Sequence, residues 1–258
     1  MENKKGQVTI FIIVGIIIVV LGILIYMFYP DIKTNFETEA KTPSAFIRNC
    51  IEDEVEDSIA ELSIHGGYIK PKFYFLKNDE KIGYLCYTNE YYLTCVMQEP
   101  LLKRHIETEI KKYIEETADE CFDSLVESYE RKRYSVNLKR AEMGVEITPG
   151  EVSVIFNNTL TLERESTENY ESFKISFDKN LYELLSIANS ILSWEAEYGD
   201  SETTLYMNYY HDVKVEKQKQ TDGTTIYVLT DRNTDEKFQF ASRSVAWPPG
   251  YRTDVVIL

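Results

Sequence analysis

The run from Val8 to Tyr29, VTIFIIVGIIIVVLGILIYMFY, contains no charged residue. A soluble helix has to show a polar stripe to water, and this segment has none. Its 22 residues, wound as a helix, reach about 33 Å, close to the hydrocarbon thickness of a bilayer. The expectation is a transmembrane helix over 8–29. Pro30 and Asp31 stop it, and Tyr26, Phe28 and Tyr29 fall where an aromatic belt sits. Lys4 and Lys5 precede the run, while Asp31, Glu37 and Glu39 follow it. Basic residues stay on the cytoplasmic side, so residues 1–7 are expected inside and the main domain outside the cell membrane. A cleaved secretory signal is disfavoured, because the apolar run is too long and no A-x-A site follows. Gly15 and Gly22 share a helix face, which permits close packing against another helix.

Charge narrows the partners. The chain of 258 residues carries a formal charge of −15. Residues 1–29 hold Glu2, Lys4 and Lys5 and so contribute +1, leaving −16 on the rest. A nucleic-acid binder needs a basic footprint that displaces counterions, so no nucleic-acid partner is expected. Docking on anionic lipid headgroups is disfavoured for the same reason. The bilayer is expected as a partner only through the N-terminal helix, and a protein or cell-surface partner through the outer part. With 19 Tyr and 12 Phe the outer part has enough bulk to build a core.

Periodicity predicts an α+β class. Residues 30–42 form a polar stalk. Residues 43–133 read as helix, small sheet, helix. Thr42-Pro43 starts the first helix, whose apolar positions include Ile47, Ile51, Val55 and Leu62, and Gly66-Gly67 ends it. Strands follow over Lys72–Leu76, Lys81–Tyr87 and Tyr91–Met97. A long helix after Pro100 carries a stripe from Leu102 to Tyr129. Residues 134–244 read as mostly β with one helix, capped by Asp178 and ended by Gly199. Strands around Leu205–Val215, Thr225–Thr230 and Lys237–Ala241 close this part, with Thr221-Asp222-Gly223 as a hairpin turn. Residues 245–258 form a tail.

All four cysteines, Cys50, Cys86, Cys95 and Cys121, lie beyond the apolar run. An even count in an extracytoplasmic domain points to disulfides. Cys50 and Cys121 sit on the stripes of two helices, and Cys86 and Cys95 flank a hairpin, so the expected pairs are Cys50–Cys121 and Cys86–Cys95. The absence of a CxxC pair argues against zinc. His65, His105 and His211 have no ligand partner at metal spacing, and the carboxylate runs lack a calcium-loop pattern, so no metal, cofactor or catalytic residue is expected. Asn157-Asn158-Thr159 is an N-glycosylation sequon in a strand-to-strand connection.

Lys4-Lys5-Gly6-Gln7 before the apolar run, with Thr9, resembles the class III signal of archaeal type IV pilin-like proteins. The resemblance implies peptidase cleavage between Gly6 and Gln7. The family places a Glu five residues into the mature chain, and Phe11 stands there instead. The opening KKGQVTIF, His65-Gly66-Gly67-Tyr68 and Phe238-Gln239-Phe240-Ala241 are similar to a group of uncharacterised single-pass extracytoplasmic proteins of small-genome (DPANN) archaea. That resemblance implies the anchor and the outside placement.

Three functions are open at this point. The first is a singly anchored, non-enzymatic binding or envelope protein of the cell surface. The second is a pilin-like filament subunit. The third is an enzyme whose site assembles from distant carboxylates.

Overall fold

The fold is described from a computed structural model, for residues 42–246. The expected membrane helix, the Gly6-Gln7 processing site, all but the end of the stalk and most of the tail lie outside the described residues. Among the described residues, no helix is long and apolar enough to cross a membrane. Packing divides the chain between Phe46 and Ile47, and the architecture below is that of the unit from Ile47 onward.

Helix α1 spans Pro43–Ile64. The Thr42 hydroxyl accepts the Ala45 N–H at 3.3 Å, the N-cap that the sequence shows. At the other end, Gly67 N–H reaches back to the Leu62 carbonyl at 2.8 Å, with Gly66 at φ +71°. This left-handed turn closes the helix on its own carbonyls. It also brings the His65 carbonyl onto strand β2 (Glu80–Tyr87), where it accepts the Gly83 N–H at 3.2 Å. A Cβ at Gly83 would lie 2.6 Å from that carbonyl oxygen, so the approach needs glycine.

The largest sheet has six strands. β1 (Tyr74–Lys77) pairs with β2, β2 with β12 (Lys237–Arg243), β12 with β11 (Thr224–Asp231), and β11 with β10 (Val213–Lys219). The short β3 (Val96–Met97) adds to β2. Only β2 with β12 is parallel among these pairs, so the sheet joins an early strand to the last one. The register of that pair shifts between Ala241 and Ser242, because β2 carries one extra residue, Leu85, between Tyr84 and Cys86.

Two three-stranded antiparallel sheets complete the β structure. One orders β4 (Ser135–Lys139), β7 (Thr159–Glu163) and β8 (Thr167–Tyr170). The other orders β5 (Met143–Thr148), β6 (Glu151–Phe156) and β9 (Phe173–Asp178). Helix α2 (Leu102–Arg131) packs on β5 and β4 through Leu102, Ile106, Ile110, Ile114, Ala118 and the residues beyond. This spacing puts the apolar residues on one stripe, and the charged residues between them face water. Phe122 continues the stripe into edge contacts with Phe156 and Phe173, at 5.1 and 5.4 Å.

Helix α3 (Leu181–Tyr198) is the central element. It packs against β11, β12, β2 and β3 of the six-stranded sheet, against β5 and β6 of another sheet, and against α2. Contacts on several sides explain why Leu184, Leu185, Ile187, Ala188, Ile191 and Leu192 are all buried. The class is therefore α+β, with two disulfides, Cys50–Cys121 and Cys86–Cys95.

Several local expectations are corrected. The segment expected as a strand from Leu205 begins as helix α4 (Thr203–Tyr209), and the strand starts only at Val213. Glu202 decides this, because its carboxylate accepts the Thr204 N–H at 2.8 Å and turns the chain into a helix. Tyr91–Cys95 is a loop and not a strand; Tyr92 sits at φ +65°, which extended pairing does not allow. Asp178 ends β9 and does not cap α3, whose N-cap position is Asn180. Strand β8, made of Thr, Glu, Asn and Tyr, has no apolar alternation to reveal it.

Candidate functional site

The expected site residues are placed first. Cys50 and Cys121 join α1 to α2 across 71 residues, with Cα atoms 5.9 Å apart. Cys121 is buried and Cys50 is exposed. Cys86 and Cys95 close the loop between β2 and β3. Asn157 lies between β6 and β7, exposed, and its Nδ2 donates to the Glu142 carbonyl at 3.1 Å. The sequon's middle residue, Asn158, is buried and accepts the Ala141 N–H at 2.8 Å.

The histidines do not converge. His65 Nδ1 lies 3.3 Å from Glu61 one turn back on α1. His105 rests against the Tyr68 ring at 4.6 Å, and Glu99 accepts the Tyr68 hydroxyl at 2.9 Å. Burial, with Glu99 beside it, pushes the Tyr68 hydroxyl well above its ordinary range. Among the described residues, no group of three His, Cys, Asp or Glu side chains could hold a metal ion.

Two concavities stand out. One, of about 290 Å³, lies between α1, the start of α3 and the β11–β12 turn. Of its two cations, Lys179 and Lys237, Lys179 sits 3.3 Å from Glu56 and 3.8 Å from Glu236 and works as an ionic seam between elements.

The other is a cleft of about 420 Å³ between the outer face of α3 and helix α4. Its walls are Trp194 from α3 and Leu205, Tyr206, Tyr209 and Tyr210 from α4 and its end. These are unusually exposed for their size: Trp194 is 46% exposed, Leu205 53% and Tyr209 82%. Large apolar side chains held open in one concavity are the informative exception to burial. Trp194 is braced by Tyr198 one turn on, with ring centroids 4.7 Å apart. A seven-residue helix does not persist alone, so α4 depends on its anchors. The hydroxyls of Tyr206 and Ser190, 2.9 Å apart, tie α4 to α3, and α4 packs on β10.

The floor is Ser201, Glu202 and Ser190. Ser201 is fully buried, and its Oγ has no hydrogen-bond partner among the described residues. Its backbone is fixed from both sides. The N–H donates to Glu195 Oε1 at 3.2 Å, and the carbonyl accepts Lys217 Nζ at 2.7 Å. Lys217 also donates to Asp200, beside Ser201 in the chain. The Glu202 carboxyl is held below its ordinary range by the Thr204 hydrogen bonds.

Glu195 organises this wall from beneath. It is 1% exposed and accepts the hydroxyls of Tyr227 and Ser242, the latter at 3.0 Å. Burial pushes the Glu195 carboxyl up, against the Tyr227 and Ser242 hydrogen bonds and the Lys217 charge. Burial and the same carboxylate push the Tyr227 hydroxyl well above its ordinary range. The Ser244 hydroxyl accepts the Cys95 N–H and donates to the Glu195 carbonyl, each at 3.2 Å, so the stapled β2–β3 loop joins the same scaffold. That loop holds Tyr91, Tyr92 and Leu93 out at 61, 73 and 50% exposure.

Sequence reasoning missed the cleft. Trp194 and Tyr198 sat on a helix treated as a core element, and the segment carrying Tyr206 and Tyr209 was expected to be a strand. The one available signal was Trp194 on the polar side of the Leu184–Leu185–Ile191 stripe. No protein-family model, curated protein or solved structure matches the chain.

Proposed function

We propose that this chain is a non-enzymatic, extracytoplasmic binding protein held at the cell membrane by its 8–29 segment, and that the α3–α4 cleft is its ligand site. The observation that carries the binding role is the cleft itself: open aromatic walls, with the Ser190 and Tyr206 hydroxyls among them, over a fixed floor. Few convergent polar groups in a mostly apolar concavity make a binding site. The lining offers no nucleophile-base pair, and its single carboxylate, Glu202, caps α4. The anchor rests on the uncharged run and the lysines before it. Two disulfides fit an oxidising exterior.

Protease added to intact cells tests the placement. The expected result is loss of the outer domain with a short membrane-bound remnant. A fully protected domain would reverse the orientation.

The Lys5-Gly6-Gln7 segment supports a second reading as a pilin-like subunit. In such filaments the freed amine is neutralised by an acidic side chain, since an unpaired charge in an apolar bundle costs several kcal/mol. Phe11 offers no charge, so the chain is expected to remain singly anchored even if it is cut after Gly6. Mass spectrometry of the N-terminal peptide reads the cut. Surface fibres containing this chain would favour the filament reading.

A further inference from the structure

We infer that the α3–α4 cleft takes a short neutral saccharide, its sugar rings stacked on Trp194 and Tyr209 and its hydroxyls reaching the Ser190–Tyr206 hydroxyl pair. This rests on reading the cleft as a ligand site and adds the chemical class of the ligand.

Charge removes one class. The lining holds no Lys or Arg and one carboxylate, Glu202, on a chain of net charge −15. A phosphorylated or acidic ligand would meet repulsion with no counter-charge. An anionic glycan is excluded with it.

Shape and hydrogen bonding separate the rest. A purely apolar ligand would cover the half-buried Ser190 and Tyr206 hydroxyls and use none of their remaining hydrogen-bonding capacity. An ammonium group is attracted to aromatic faces. However, it would fill little of about 420 Å³, and it only donates hydrogen bonds. A saccharide combines what the cleft displays. One face of a pyranose ring is a patch of C–H groups that lies flat on an indole or phenol ring. Its edge carries hydroxyls that both donate and accept, which match the remaining capacity of the Ser190–Tyr206 pair. The aromatic walls are pre-positioned by the Trp194–Tyr198 contact and the α3–α4 tie, so little ordering is left to binding.

The test uses the full chain in lipid nanodiscs, because maltoside detergents are themselves saccharides. Trp194 and Trp247 are the chain's two tryptophans, so Trp247→Phe leaves Trp194 as the sole reporter. The probes are cellotriose, mannotriose, chitotriose and lactose, with sialyllactose, choline and a proline-rich peptide as contrasts. Calorimetric titration of the unaltered chain with the same probes covers a failure of the variant to fold. At least one neutral saccharide is expected to shift Trp194 emission saturably in the micromolar to millimolar range. Tyr209→Ala should weaken that binding about tenfold by removing a stacked ring. Ser190→Ala should weaken it severalfold with the circular dichroism unchanged. Binding of choline or the peptide at Trp194, with none of the neutral saccharides, overturns the saccharide and leaves the cleft as the ligand site. No response from any probe by either measurement overturns both.

Discussion

Glu195 accepts the backbone N–H of Ser201 at 3.2 Å, six residues further along the chain. A carboxylate wholly inside the fold therefore sets the floor of the one open aromatic cleft described here. The same side chain takes the Tyr227 and Ser242 hydroxyls, from β11 and β12. One buried group thus fixes the sheet, the end of α3 and the turn into α4. Buried polar groups that are satisfied in this way specify a single arrangement, and they are costly to break.

Glu195→Ala should destabilise the domain by roughly 2–4 kcal/mol, because it strands two buried hydroxyls and one N–H beside a cavity. Glu195→Gln should cost less, since an amide oxygen can still accept. Urea unfolding of the two variants against the native chain gives the ranking. An alanine variant within a few tenths of a kcal/mol of native would mean that the network carries no net stability.

Stability should depend on pH through the same residue. Burial raises the Glu195 carboxyl above its unfolded value, aided by Asp200 and opposed by Tyr227, Ser242 and Lys217. The folded state thus keeps this proton longer than the unfolded chain. Its contribution is fully present below about pH 4 and is lost as pH rises through the raised value. The native chain should therefore lose Tm relative to Glu195→Gln between about pH 4 and the raised folded value. Paired thermal melts across this range read the difference. A flat difference would show that the carboxyl titrates alike in both states.

The two disulfides should differ in weight. Closure of 71 residues by Cys50–Cys121 restricts the unfolded chain by about 4 kcal/mol, and closure of 9 residues by Cys86–Cys95 by about 2.5 kcal/mol. Double Cys→Ala variants should lower the urea midpoint in that order. Loss of Cys86–Cys95 should also raise hydrogen exchange at Tyr92 and Val245, whose N–H groups donate to the Val245 and Leu93 carbonyls and tie the loop to the residues after β12. Equal exchange in both double variants would count against a local role for the short bridge.

The long helices and the pairing of the cysteines were legible because their signals are periodic or arithmetical. The stripe of α2 repeats Ile106, Ile110 and Ile114 at one-turn spacing, and no strand pattern mimics that. The parallel β2–β12 pairing was not legible. Both strands carry the same apolar run that any buried strand carries, and register between them depends on an extra residue in β2, Leu85. The helix α4 was hidden for a different reason. Thr203–Tyr209 is rich in Thr and Tyr, which favour strands, and only the Glu202 cap and the Tyr206–Ser190 tie override them. The cleft follows from that override, so a sequence reading that placed a strand there could not contain it.

Ser201→Ala carries the last prediction, because it removes a buried hydroxyl from the floor of the cleft and leaves the floor's backbone contacts in place. The Ser201 hydroxyl is buried with no partner among the described residues, so the fold bears its desolvation without a compensating bond. Removing it leaves the Glu195 and Lys217 contacts intact, since both reach the Ser201 backbone. The side chain becomes apolar at nearly constant volume. The variant should be as stable as the native chain or more stable by up to about 1 kcal/mol, against the usual loss from a buried substitution. Chemical denaturation gives the sign. A clear destabilisation would mean that the hydroxyl has a structural partner.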